Sequence, residues 1–253
     1  MVEEKRASVK FLVLDTLKGK SIEGTKKVPL YTQVVYDSKN TKFKTIVNKE
    51  PVFVTKDFDF QHISNKDLIN SLNKHEEQIV KIVEYETKKF KSRFTLKGLQ
   101  KRIGIYDTEV ISIFNAFTTP LDDLLKETMI YNNYLEFKGI ESAREKLNYL
   151  SMYEKKNNVK ILDSLDNVGV PALASSSLFE AYLYGYQDPP VITCYDWLIG
   201  NEDKIYDDVY DQIIQKAKAE SLDVLKFLAQ PPGVKSSDAI TSLLDVILSI
   251  YLK

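Results

Sequence analysis

Histidine and cysteine are nearly absent from this chain. Its 253 residues include two histidines, His62 and His75, and one cysteine, Cys194. A lone thiol forms no internal disulfide, which fits a reducing, cytosol-type compartment. Zinc sites of the usual kind need paired ligands at short spacing, and no His-x-x-x-His, Cys-x-x-Cys or mixed cluster occurs. A thiolate nucleophile needs a nearby base, yet both histidines lie more than a hundred residues before Cys194. That cysteine reads as a small buried hydrophobe. Glycine is scarce at 9 residues, and no Gly-rich phosphate loop and no Gly-x-Ser-x-Gly elbow is present. No uninterrupted apolar run reaches the roughly 18 residues of a spanning helix. The first apolar run, Phe11 to Leu14, is too short for the apolar core of a secretion signal. These absences point away from catalysis, so the expected function is non-enzymatic, with no cofactor, no metal and no membrane partner.

What is present is enough to build a core. Hydrophobic residues make up 43% and charged residues 28%, so a packed globular chain is expected. Its net charge of −1 hides an asymmetry. Residues 1–110 carry 22 Lys/Arg against 15 Asp/Glu, while residues 111–253 carry 13 against 21. No Lys or Arg falls between Lys160 and Lys204. A chain with one basic and one acidic end can stack head-to-tail on copies of itself or on a partner.

Period-2 patterning dominates the first 55 residues. Ser8–Asp15 places Val9, Phe11 and Val13 on one face, and Lys27–Tyr36 alternates Val28, Leu30, Thr32, Val34 and Tyr36 with Tyr31, Gln33 and Val35. Lys42–Val47 and Val52–Thr55 read as further strands. Asp37-Ser-Lys-Asn40 suits a hairpin loop, and Pro29 must sit at a strand end or edge. After Phe60 the period changes. Leu68, Leu72, His75, Ile79, Ile82 and Phe90 recur three to four apart, predicting one amphipathic helix over Lys66–Phe90 with Ser64 and Asp67 as a capping pair. A helix is expected over Thr95–Arg102, stopped by Gly104. Further helices are expected over Thr108–Phe117, Leu121–Phe137, Glu141–Lys155 and Asp203–Leu228, the last ended by Gln230-Pro-Pro-Gly233. Ile161–Gly200 looks irregular, with Gly169-Val-Pro171 as punctuation and Ser175-Ser-Ser177 as a helix cap. Ser237–Leu252 is apolar on nearly every side and too short to span a bilayer, so it is expected in the core or docked into a partner. The predicted fold class is α+β: a small N-terminal antiparallel sheet followed by a mainly helical, bundle-like region. The expected organisation is a basic β-rich domain over 1–60, a helical connector over 61–104 and an acidic helical domain over 105–253.

Three further features bear on chemistry. Asp203, Asp207 and Asp211 share a helix face and have the donor chemistry for a divalent cation, but acids at a helix start are favoured by the dipole alone. Glu86-Thr-Lys88 matches half of a nuclease motif without its partner acid. His75 falls on the apolar stripe of its helix, which suits an interior residue better than a catalytic base.

Ala7-Ser-Val-Lys-Phe11-Leu-Val-Leu-Asp15, a Lys/Gly loop to Gly24, and Lys27-Val-Pro-Leu-Tyr31 follow one another in the first part of the chain. On these pieces residues 7–60 resemble the arm-type DNA-binding segment of tyrosine recombinases from Bacteroidetes phages and transposons. Asn65–Phe90 followed by Phe94-Thr-Leu-Lys-Gly98 is similar to the helical lead-in of that family's core-binding region. The catalytic set of that family includes a His-x-x-Arg, and no histidine follows His75, so the activity is not implied. The overall character, with a small β part, long helices and oppositely charged ends, resembles head–tail connector and tail ring proteins of crAss-like or other Bacteroidetes phages.

The expectation is therefore a structural component of a virion, assembling with copies of itself as a ring and with other virion proteins. Leu72, Ile79, Phe90, Tyr182, Tyr184, Tyr186, Trp197, Leu244 and Ile247 are the candidate interface residues. The alternative partner is nucleic acid, for a cytoplasmic accessory protein. In that reading Lys10, Lys18, Lys20, Lys26, Lys27, Lys39, Lys42 and Lys44 meet phosphate, with a three-stranded sheet in a groove.

Overall fold

The computed structural model describes residues 6–14, 19–22, 25–58, 65–117, 119–129, 131–159, 169–183, 191–200, 236–250 and 252. The fold is α+β, with small antiparallel sheets at the N-terminal side and helices after them. The chain divides into two compact units, Met1–Ile103 with Tyr251–Lys253, and Gly104–Ile250.

In the first unit, β1 (Ser8–Leu12), β4 (Tyr31–Tyr36) and β5 (Lys39–Lys44) form one three-stranded sheet in the order β1-β4-β5. β2 (Lys20–Ile22), β3 (Thr25–Pro29) and β8 (Phe53–Val54) form a second, and β6 (Ile46–Val47) pairs with β7 (Glu50–Pro51). The expected single strand Lys27–Tyr36 is thus two strands in two sheets. The break falls at Leu30, whose N–H donates to the Val52 carbonyl and whose carbonyl accepts from the Thr45 N–H. Its side chain is fully buried with Val28, Val54 and Leu72. Pro29 closes β3, where the missing N–H costs least.

The hairpin after β4 is tighter than expected. Only Asp37 and Ser38 form the turn, both at positive φ (50° and 61°), and Lys39 and Asn40 already belong to β5. Two left-handed residues in a row match the right-handed twist of the flanking strands. Asn48 and Lys49 repeat the device between β6 and β7, at φ 52° and 67°.

Helix α1 covers Lys66–Phe90, as its apolar period predicts. Asn65 is its N-cap, with its Oδ1 accepting from the Leu68 N–H at 3.1 Å; the expected cap, Ser64, lies outside the described residues. Leu72, His75, Ile79, Ile82, Val83, Glu86 and Phe90 form its buried stripe. A 3₁₀ turn (Lys91–Arg93) follows, and then α2 (Leu99–Tyr106), which passes through Gly104 instead of stopping there.

The second unit holds α3 (Val110–Phe117), α4 (Thr119–Thr128), α5 (Tyr131–Lys138), α6 (Ala143–Asn157), α7 (Gly169–Leu183) and α8 (Ser236–Ile250). The expected helix Leu121–Phe137 is two helices. The stretch read as punctuation around Gly169 and Ser175–Ser177 is the start and middle of α7. Proline is tolerated in a first turn, where its absent N–H has no intrahelical partner to lose. The three serines are buried, and α7 packs against α3 and α6. Phe114, Phe179 and Trp197 pack ring against ring at 5.7 to 5.9 Å, and the Trp197 indole N–H donates to Thr241 of α8. The expected acidic helix Asp203–Leu228, including Asp203, Asp207 and Asp211, lies outside the described residues. No helix among the described residues is long and apolar enough to cross a membrane.

A candidate nucleic-acid interface on the first unit

Antiparallel register decides which residues share a face of the β1-β4-β5 sheet. Val9 pairs with Val34 and Phe11 with Thr32; Val34 in turn pairs with Thr41 and Thr32 with Phe43. Val9, Thr32, Val34 and Phe43 are buried, so this is the inner face. It meets α1, where Phe11 stacks on His75 at 6.4 Å. The Thr32 and Thr45 hydroxyls bond each other at 2.9 Å, so neither is left unpaired in the core.

Side chains alternate, so the remaining residues form the outward face. Three rows cross it: Ser8–Val35–Asn40, Lys10–Gln33–Lys42 and Leu12–Tyr31–Lys44. Lys10, Lys42, Lys44, Asn40 and Ser8 are exposed, while Gln33, Val35, Tyr31 and Leu12 are half-buried. The face carries no acid. Its lysines stand on the two outer strands, and the central strand between them carries Tyr31, Gln33 and Val35. Two strand spacings separate β1 from β5, or about 10 Å, which matches a major groove about 12 Å wide.

Of the eight lysines expected to meet phosphate, the outward face therefore gathers three, Lys10, Lys42 and Lys44. Lys39 belongs to the same sheet but has the parity of the inner face, beside the hairpin turn. Lys26 and Lys27 lie on β3 of the second sheet, and Lys20 pairs with Lys27 across β2. Lys18 lies outside the described residues. The expected interface residues are placed differently. Leu72, Ile79 and Phe90 are buried in the first unit, and Trp197, Leu244 and Ile247 are buried in the second, covered by the chain itself. Tyr182 lies near the end of α7, and Tyr184 and Tyr186 lie outside the described residues.

The structure exposes a second basic surface that the periodicity of the sequence does not single out. From Thr87 to Tyr106 the chain holds seven Lys/Arg and no acid. Lys88, Lys89, Lys91, Arg93, Lys97 and Lys101 are exposed. The seventh, Arg102, is fully buried and holds the corner in place. Its Nε donates to Glu86 Oε1 at 2.8 Å and its Nη2 to Glu86 Oε2 at 2.9 Å. The same guanidinium donates to the Lys97 carbonyl at 2.8 Å and the Thr95 carbonyl at 2.6 Å. Glu86, half of the apparent nuclease motif, is thus committed to an ion pair sealed from solvent. Arg93 lies over the Phe90 ring at 5.9 Å, and Phe94 meets Tyr36 edge-on at 5.5 Å, which ties the corner to the end of β4. The acid-free run was the available signal, diluted by the even charge of the residues before it.

No group of three or more His, Cys, Asp or Glu that could hold a metal ion occurs among the described residues. Cys194 is buried and its thiol is pushed up to about 12, first by burial and then by the charge of Asp245. No protein-family model, curated protein or solved structure matches the chain.

Proposed function

We propose that the chain is a nucleic-acid-binding protein whose outward β1-β4-β5 face docks in the major groove of a duplex. The observation that carries this reading is the row Lys10–Gln33–Lys42: cations on the outer strands and an amide between them. Lysines at the two edges of a three-stranded sheet meet the phosphate ridges on either side of a groove and fix register. The central strand then faces the base edges. A glutamine amide pairs bidentately with adenine, and an apolar side chain such as Val35 suits the thymine methyl. The exposed cations Lys88, Lys89, Arg93, Lys97 and Lys101 extend the footprint along the backbone.

Fluorescence anisotropy with duplex DNA across a salt series tests the reading. Each neutralised phosphate steepens the log–log salt slope by about 0.9, so replacing Lys10, Lys42 and Lys44 together by alanine is expected to flatten it by about 2.7. Gln33→Ala is expected to leave the slope alone and to reduce discrimination between sites. An unchanged slope in the triple variant sinks the sheet-face assignment.

The second reading is an assembly component, joining copies of itself and other virion proteins. It is favoured by apolar side chains left on the second unit: Tyr131 and Leu135, one turn apart on α5, and Met152 on α6 are 69%, 46% and 70% exposed. Replacing all three by serine and measuring mass by sedimentation tests it, with loss of an oligomer as the expected result.

A further inference from the structure

A cleft of about 390 Å³ opens where the β4–β5 hairpin meets the turn after α1. Tyr36, Asp37 and Lys39 line one side, and Lys91, Ser92 and Phe94 the other. Tyr36 and Phe94 pack edge-on at 5.5 Å, and each is only half-buried, so both rings keep uncovered surface. Lys91 is the C-cap of α1, at φ 49° and ψ −118°. The size suits a ligand of nucleotide dimensions, since small-molecule sites start at about 300 Å³. Two ammonium groups against the single Asp37 carboxylate leave one positive charge, which matches one phosphodiester better than a free triphosphate.

We propose that this cleft takes one unpaired nucleotide from a single-stranded flank of the bound nucleic acid, with its phosphodiester between Lys39 and Lys91 and its base against Tyr36 and Phe94. The proposal rests on the nucleic-acid reading above. Aromatic rings stack on any base, so the cleft selects an unpaired base over a paired one without selecting sequence. The cleft lies at the hairpin end of the same sheet whose outward face would hold the duplex. Tyr36 and Lys39 have the parity of the inner face, so a strand leaving that duplex passes around the hairpin turn to reach the cleft.

The test compares one duplex in two forms, blunt and with a three-nucleotide tail whose first unpaired base is 2-aminopurine. The full-length chain is expected to bind the tailed form about ten-fold more tightly and to change the 2-aminopurine emission. Tyr36→Leu, which removes one ring of the cleft and no charge, is expected to abolish both effects and leave blunt-duplex binding within about two-fold. Phe94→Ala is the second variant, expected to remove the emission change. Equal affinity for tailed and blunt duplexes overturns the proposal and leaves the sheet-face reading standing. Free adenosine monophosphate binding in the cleft, with no advantage from the tail, assigns the site to a free nucleotide and overturns the strand-end source. Binding to neither duplex overturns the sheet-face reading and this proposal with it.

Discussion

At the residue scale, two buried polar groups in the first unit set opposite expectations. His75 faces Phe11 in the core, and its Nε2 has no hydrogen-bond partner among the described residues. Burial lowers its pKa from 6.5 to about 4. A histidine held neutral in the folded state contributes fully above the unfolded value and loses its contribution as pH falls from about 6.5 toward about 4. Moving from pH 7 to pH 5 is therefore expected to cost about 2 kcal/mol, read from urea midpoints, and His75→Phe is expected to flatten that dependence. Glu86 and Arg102 behave differently, because each is fully buried and each satisfies the other. Glu86→Ala strands a guanidinium in the core and is expected to cost about 3–5 kcal/mol, while the double change Glu86→Leu with Arg102→Met is expected to cost less, about 1–3 kcal/mol, because only the Thr95 and Lys97 carbonyls then lose their donor. Unfolding curves of the three proteins check this; a neutral single variant would show that water reaches the pair. Sequence pattern exposed His75 as an interior residue, since it sits on the stripe of α1. It did not expose the ion pair, because sixteen residues separate the partners and only the turn at 91–98 brings them together.

At the scale of elements, the legible features are those with long local periods. The α1 stripe repeats through 25 residues, and the helix forms where the stripe predicts. The strand break at Leu30 was hidden, because alternation runs on through it while its pairing partners change from β8 to β1 and β5. That choice is made by Val52 and Thr45, residues distant in sequence, so no local window contains it. Helix α7 was hidden for another reason. Serine and glycine usually mark ends, but a helix buried on several sides also needs small residues, and Ser176 finds a partner in Asn115. The β4–β5 hairpin carries its own prediction. Ser38 holds a left-handed conformation that costs a residue with a Cβ about 1–2 kcal/mol, so Ser38→Gly is expected to raise stability by about 1 kcal/mol. Because this turn sets the pairing of Lys42 with Gln33, the same variant is expected to keep the salt slope of DNA binding unchanged.

At the scale of the whole molecule, the charge asymmetry seen in the sequence sharpens at the structural division. The first unit holds 23 Lys/Arg against 13 Asp/Glu, and the second 12 against 23. Opposite charge on two units of one chain attracts copies to each other, and salt weakens that attraction within a Debye length. Sedimentation at about 20 mM salt is expected to show mass rising with concentration, and at about 500 mM a return to the 29.1 kDa monomer. Duplex DNA added at low salt competes for the basic unit and is expected to dissolve the self-association. Assembly through Tyr131, Leu135 and Met152 predicts the reverse, an oligomer that salt leaves intact and DNA does not displace, because burial of apolar surface does not depend on screening. One salt titration therefore separates charge-driven stacking from apolar assembly. The DNA arm then reports whether the basic unit is the surface that both partners share.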